Sequence, residues 1–187
     1  FKYLRRLITL RTKIENFTYS IKNYLNFIKF NKKNNVFLFK KKVVNKIKEN
    51  IDINLNEIFN KVKNNKNLLK LDIEGSEYSI VDKINQNSSK IKVLIIEFHF
   101  IRSKKKMFID SVKKLIKNFD IVHIHANNYF NLTNKDAFFE VLEISFVNKK
   151  INKYRKNFRY NFPLKNLDFE CFPDRKKIKF SFKIKHK

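Results

Sequence analysis

From Tyr3 to Phe30 apolar residues recur near helical spacing, at Leu4, Leu7, Ile14, Phe17, Ile21, Leu25 and Ile28, with Arg5, Arg6, Arg11, Lys13 and Lys22 between them. This period predicts a basic amphipathic helix or a pair of helices. Such a stripe can lie on a membrane surface, but beside an α/β domain it more often covers a sheet face, which is the expectation for residues 1–33. Lys32 to Asn35 break the pattern, and Val36-Phe37-Leu38-Phe39 predicts a short buried strand ahead of the basic run Lys40 to Lys42. Leu55 to Val62 predicts a short helix capped by Asn54. A strand over Leu68 to Ile73 is followed by a helix over Glu77 to Ile84, with Ser76 available as its cap and Glu77 in its first turn.

Val93 to His99 as strand, Lys104 to Asn118 as helix and Ile121 to His125 as strand continue the alternation, which implies right-handed crossovers and a mainly parallel sheet. The polar stretch from Asn127 to Asp136 has no helical pattern, so Ile121 to His125 and Phe139 to Asn148 are expected to pair as an antiparallel hairpin, the mainly parallel sheet ending in that one reversed strand. Residues 34–148 thus read as an α/β core. Residues 149–187 form a basic extension in which Pro163 and Pro173 argue against a long helix, and Lys177 to Ile184 alternates like an edge strand.

The run Leu68-Leu69-Lys70-Leu71-Asp72-Ile73-Glu74-Gly75-Ser76-Glu77-Tyr78 ends an apolar strand in two carboxylates and holds the chain's one glycine. Open α/β sheets build their sites at such carboxyl ends. The run resembles the Leu-Lys-Ile-Asp-Val-Glu-Gly-x-Glu signature of the FkbM-type methyltransferases. Val93 to His99, Ile121 to Tyr129 and Val141 to Phe146 match that family's later strands in order, so the resemblance covers roughly Val36 to Asn148. It implies a class I, Rossmann-like fold, S-adenosylmethionine as cofactor, and methylation of a hydroxyl on a small molecule, glycan or lipid-linked sugar.

In a parallel sheet the carboxyl ends of the strands share one rim, which here collects Asp72, Glu74, Glu97, His99, His123 and His125. The pleat puts the two members of each pair on one face. Methyl transfer to a hydroxyl requires an aligned acceptor oxygen and a base for its proton. His99 is the first candidate, because an imidazole titrates near neutrality; Asp72 or Glu74 could serve instead or orient it. Glu97, His123, His125, Asn127 and Asn128 are expected to hold the acceptor. The resemblance puts Asp72 and Glu74 at the end of the fourth strand, facing the methyl-transfer point, and makes Asp72 the residue nearest the cofactor. These donors also suit a divalent cation such as Mg²⁺, but their spacing forms no closed zinc pattern, and no metal ligand is assigned.

Composition changes this picture in three ways. The 187 residues and 43% hydrophobic content suit one globular domain, and Cys171, the one cysteine, is expected to be a reduced thiol in a cytoplasmic protein with no membrane span or signal peptide. The net charge of +26 is the usual mark of RNA or an anionic membrane surface as partner. A binding module of that kind is the rival to the enzyme. Lysine, asparagine, isoleucine and phenylalanine are abundant together, however, a bias that scatters lysines over the surface without building a patch. Finally, class I enzymes hold their cofactor on a glycine-bearing loop after the first strand, and a chain whose one glycine is Gly75 has no such loop. Counting back from the signature strand places strands one and two before Phe1, so the chain is expected to be the carboxyl-terminal portion of a methyltransferase.

Overall fold

The computed structural model describes residues 2–33, 41–50, 52–62, 67–128, 139–152, 158–175 and 178–184. The strand expected at Val36 to Phe39 lies outside them. The chain forms two compact units, Phe1–Lys41 and Lys42–Lys187.

The first unit contains one continuous helix, α1 (Lys2–Asn31). Of its side chains from Asn16 to Phe30, all are exposed except Ile28, which is half-buried. Phe17, Tyr19, Tyr24, Leu25, Phe27 and Phe30 are among the exposed ones. Among the described residues no helix is long and apolar enough to cross a membrane; α1 has the length, but its basic residues break every apolar stretch.

The second unit opens with two short parallel strands, β1 (Lys42–Val43) and β2 (Asp52–Ile53), and the helix α2 (Leu55–Lys61). Asn54 caps α2 as expected, its side chain accepting the backbone N–H of Glu57 at 3.0 Å. Then β3 (Asn67–Leu71), α3 (Glu77–Gln86), β4 (Ile91–Phe98), α4 (Lys105–Leu115), β5 (Phe119–Ala126) and β6 (Leu142–Asn148) follow within two to three residues of most of the bounds read from the sequence. They build one sheet in the order β3-β4-β6-β5. β3, β4 and β5 point the same way, and β6 is antiparallel to both of its neighbours. The reversed strand therefore lies between β4 and β5 and not at the sheet's margin. The connection from β4 through α4 skips one position, and β6 returns to fill it.

Register explains the core. Leu71, Ile96, Ile144 and Ile124 stand opposite one another across all four strands, and each is buried. Leu94 with Phe146 and Phe98 with Leu142 form the rows on either side. This face packs on Ile80, Val81 and Ile84 of α3 and Leu115 of α4. Because side chains alternate across a strand, the opposite face carries the polar row Glu97, Glu143, His125 and, one step along, Ile95, Ser145, His123. The extension supplies a separate antiparallel pair, β7 (Phe158–Phe162) with β8 (Phe180–Ile184), and its Phe162 and Phe180 rings stack at 4.9 Å.

Candidate functional site

The carboxyl end of β3 runs into a tight turn. Glu74 and Gly75 both take positive φ, 51° and 95°. An ideal Cβ on Gly75 would lie 2.7 Å from the Phe100 ring, so both the backbone and the space call for glycine. Phe100, just past the carboxyl end of the neighbouring β4, is also left-handed at φ 57°. Positive φ in two non-glycine residues at one rim is the kind of backbone strain that gathers at functional sites.

The turn is held by Glu77, which is completely buried. Its Oε1 accepts the backbone N–H groups of Ile73 (3.2 Å) and Gly75 (3.1 Å) and lies 3.0 Å from Nδ1 of His99. Ser76 occupies the N-cap position of α3 without a capping hydrogen bond from its side chain; Glu77 folds back to take the loop's donors instead. Lys104 adds its ammonium to the carbonyl of Gly75 at 3.1 Å, over the rings of Tyr78 and Phe100. Tyr78 donates its hydroxyl to the backbone carbonyl of His99. Burial first, then the Glu77 and Glu140 charges, raise the Tyr78 phenol far above its ordinary value, so it remains a donor.

His99 is thereby fixed from both ends. A carboxylate oxygen that already receives two backbone N–H groups can only accept, so Nδ1 of His99 carries a proton and donates it to Glu77. Nε2 then faces the rim, 3.7 Å from Oδ1 of Asp72 and 3.5 Å from Oε2 of Glu74. Glu97 joins from β4, its Oε1 accepting from Asn127 at 3.0 Å. Asp72, Glu74, Glu97, His99, Phe100, Asn127 and Val141 line one open cleft of about 470 Å³. One donor atom from each of Asp72, Glu97 and His99 lies within 4.8 Å of the other two.

Of the residues placed on the rim by sequence, the structure brings Asp72, Glu74, Glu97, His99 and Asn127 together. Asp72 and Glu74 meet His99 because of the turn and not the pleat, since β3 ends at Leu71. His123, His125 and Asn128 take other partners. Nε2 of His123 and Nδ1 of His125 lie 2.8 and 3.2 Å from one oxygen of the buried Asp168, whose other oxygen accepts from Leu164 N. Asn128 exchanges two hydrogen bonds with the backbone of Phe172, at 2.8 and 3.0 Å. These three residues tie the extension to the end of β5. Glu143 stands between the two clusters, opposite both Glu97 and His125, and binds Lys70 at 3.0 Å, which raises the Lys70 ammonium's pKa. Cys171 is exposed at its surface, but burial of part of its thiol, followed by the charges of Glu97 and Glu143, pushes its pKa up.

Sequence reasoning missed Glu77 as the orienting carboxylate, Tyr78 as the support of His99, and Asp168. The first two belong to the signature run itself, and the third acid after the glycine was the signal. Compared with known proteins, the model of the family described as the methyltransferase FkbM domain matches residues 8–130. No curated protein and no solved structure matches the chain.

Proposed function

The chain belongs to the methyltransferase FkbM domain family, and from that premise we propose that it serves S-adenosylmethionine-dependent methylation of a hydroxyl oxygen, on a small molecule, a glycan or a lipid-linked sugar. The observation that carries this reading is His99, whose Nδ1 is held by a buried carboxylate while Nε2 faces an open cleft. When bound, the cofactor supplies an electrophilic methyl group on a positively charged sulfur. The carboxylates of Asp72 and Glu74 suit that charge. The one glycine of these 187 residues closes the β3–α3 turn, so no glycine-bearing loop within them cradles the rest of the cofactor.

The chain's own residues do the following. The acceptor hydroxyl enters beside His99, and its proton passes to the cluster of His99, Asp72 and Glu74. Glu77 keeps the imidazole in the tautomer whose Nε2 lone pair points at the cleft, as the orienting acid does in other imidazole-based sites. Glu97 and Asn127, bound to each other, line the cleft where the acceptor's neighbouring hydroxyls enter, Glu97 offering a carboxylate oxygen. Its cleft is acidic although the chain is basic, which favours a neutral polyol over an anionic acceptor.

The test is calorimetric titration of S-adenosylmethionine into the chain, followed by methyl transfer to hydroxylated acceptors. Removal of a positioned proton acceptor costs about 10²- to 10⁴-fold in turnover, so His99→Gln should lower kcat by that much while cofactor affinity stays within a few-fold. Undiminished turnover in both His99→Gln and Glu74→Gln would sink the assignment.

A further inference from the structure

We propose that the cleft binds a divalent cation of the Mn²⁺ or Fe²⁺ type, held by Asp72, Glu97 and Nε2 of His99. The three donor atoms lie within 4.8 Å of one another. A cation bound at about 2.2 Å spans about 3–4.4 Å between its ligands, so the site needs only a small contraction to close. One imidazole and two carboxylates with open positions suit Mn²⁺ or Fe²⁺ better than Mg²⁺, which prefers oxygen alone, or a closed zinc site.

Two further observations point the same way. His99, 8% exposed, has its Nδ1 anchored on the buried Glu77, while its Nε2 faces carboxylate oxygens at 3.5 and 3.7 Å, beyond a well-formed hydrogen bond. A histidine carrying a carboxylate on the far nitrogen is the usual outer support of a metal-bound imidazole. Asn127 supports Glu97 in the same way, at 3.0 Å on Oε1. Charge is the second observation. The chain has 43 basic residues to 17 acidic ones, yet among the described residues no lysine or arginine pairs with Asp72, Glu74 or Glu97. Lys70 is bound to Glu143 and feels Asp72 and Glu97 only at longer range, and Lys104 is held on the carbonyl of Gly75. Among the described residues, three carboxylates thus share one cleft of a basic chain without a lysine or arginine bound to them.

The proposal deepens the methyl-transfer reading. A cation here would carry the acceptor oxygen and acidify its proton; His99 is then a ligand, and Glu74, 80% exposed and outside the ligand set, takes the proton. Metal binding by itself needs neither cofactor nor acceptor, so the experiment uses the full chain alone. Mn²⁺ titration followed by electron paramagnetic resonance should show one saturable site. Asp72→Asn and Glu97→Gln should each weaken it at least about tenfold, whereas Asp82→Asn, which breaks only the pair with Lys114, should not. With Co²⁺, the unaltered chain should give one exchange-protected, hyperfine-shifted imidazole N–H resonance from Nδ1 of His99. That signal is expected even if a variant fails to fold. Absence of a saturable Mn²⁺ site, absence of the shifted proton, or binding indifferent to both substitutions would overturn the proposal. A Mn²⁺ site without methyl transfer would overturn only the enzymatic reading, and chelator-resistant methyl transfer with no Mn²⁺ site would overturn only the cation.

Discussion

At the scale of single residues the rim is a set of groups each fixed by a different force. Gly75 is fixed by backbone and space together. Gly75→Ala should destabilise the fold by about 1–3 kcal/mol, the cost of a strained φ plus displacement of Phe100, read as a lower midpoint in denaturant. An unchanged midpoint would mean both that the Phe100 ring, 42% exposed, swings away and that the turn relaxes out of its positive φ without cost. Glu77 is fixed by the donors it satisfies. Glu77→Ala strands two backbone N–H groups and the Nδ1 proton of His99, and should cost about 3 kcal/mol. Glu77→Gln keeps an accepting oxygen, so it should recover most of that stability in thermal unfolding while still impairing the site. The identities of Asp72, Glu74 and His99 were legible from the signature run and the strand after it. The part played by Glu77 was not, because burial of a carboxylate at a helix's first turn depends on which strand end comes to lie beside it.

At the scale of elements, local signals carried most of the reading. Asn54 ahead of a short apolar run announced α2, and its side-chain bond to Glu57 N supports that helix end. Asn54→Ala should lower stability by about 1 kcal/mol, measurable by chemical denaturation. The alternation of strands and helices from β3 to β5 followed from hydrophobic runs bounded by polar turns, and the reversed direction of β6 from a connection with no helical pattern. Its insertion between β4 and β5 did not follow, because two strands joined by a loop can pair on either side. The pairing was decided by which arrangement buries Leu94, Ile96 and Phe98 against Phe146, Ile144 and Leu142 in register. Ser76 shows the opposite outcome: its residue type predicted a side-chain cap, but Ser79 N–H goes to its backbone carbonyl, and Glu77 in the first turn holds the preceding loop through Ile73 and Gly75.

At the scale of the whole molecule the dominant fact is charge. With a net charge of +26, like-charge repulsion opposes the compact state at every pair of surface lysines. The unfolding temperature should therefore rise between about 0.01 and about 0.5 M NaCl, as the screening length shortens from about 30 Å to a few ångströms. A fall over that range would show that surface pairs such as Lys114 with Asp82, at 2.8 Å, outweigh the repulsion. The sequence by itself determined the α/β class, the order of elements from α2 to β6, the family and the acid-bearing turn after β3, because each rests on short-range periodicity or on a contiguous motif. Only the tertiary structure decided how the rim divides. Asp72, Glu74, Glu97, Asn127 and His99 share a cleft, whereas His123 and His125 turn to Asp168, more than 40 positions away in the chain. Alternation along a strand tells which face a side chain takes, but its partner is chosen by the segment that packs on that face. That choice is made by long-range burial, which no local pattern records.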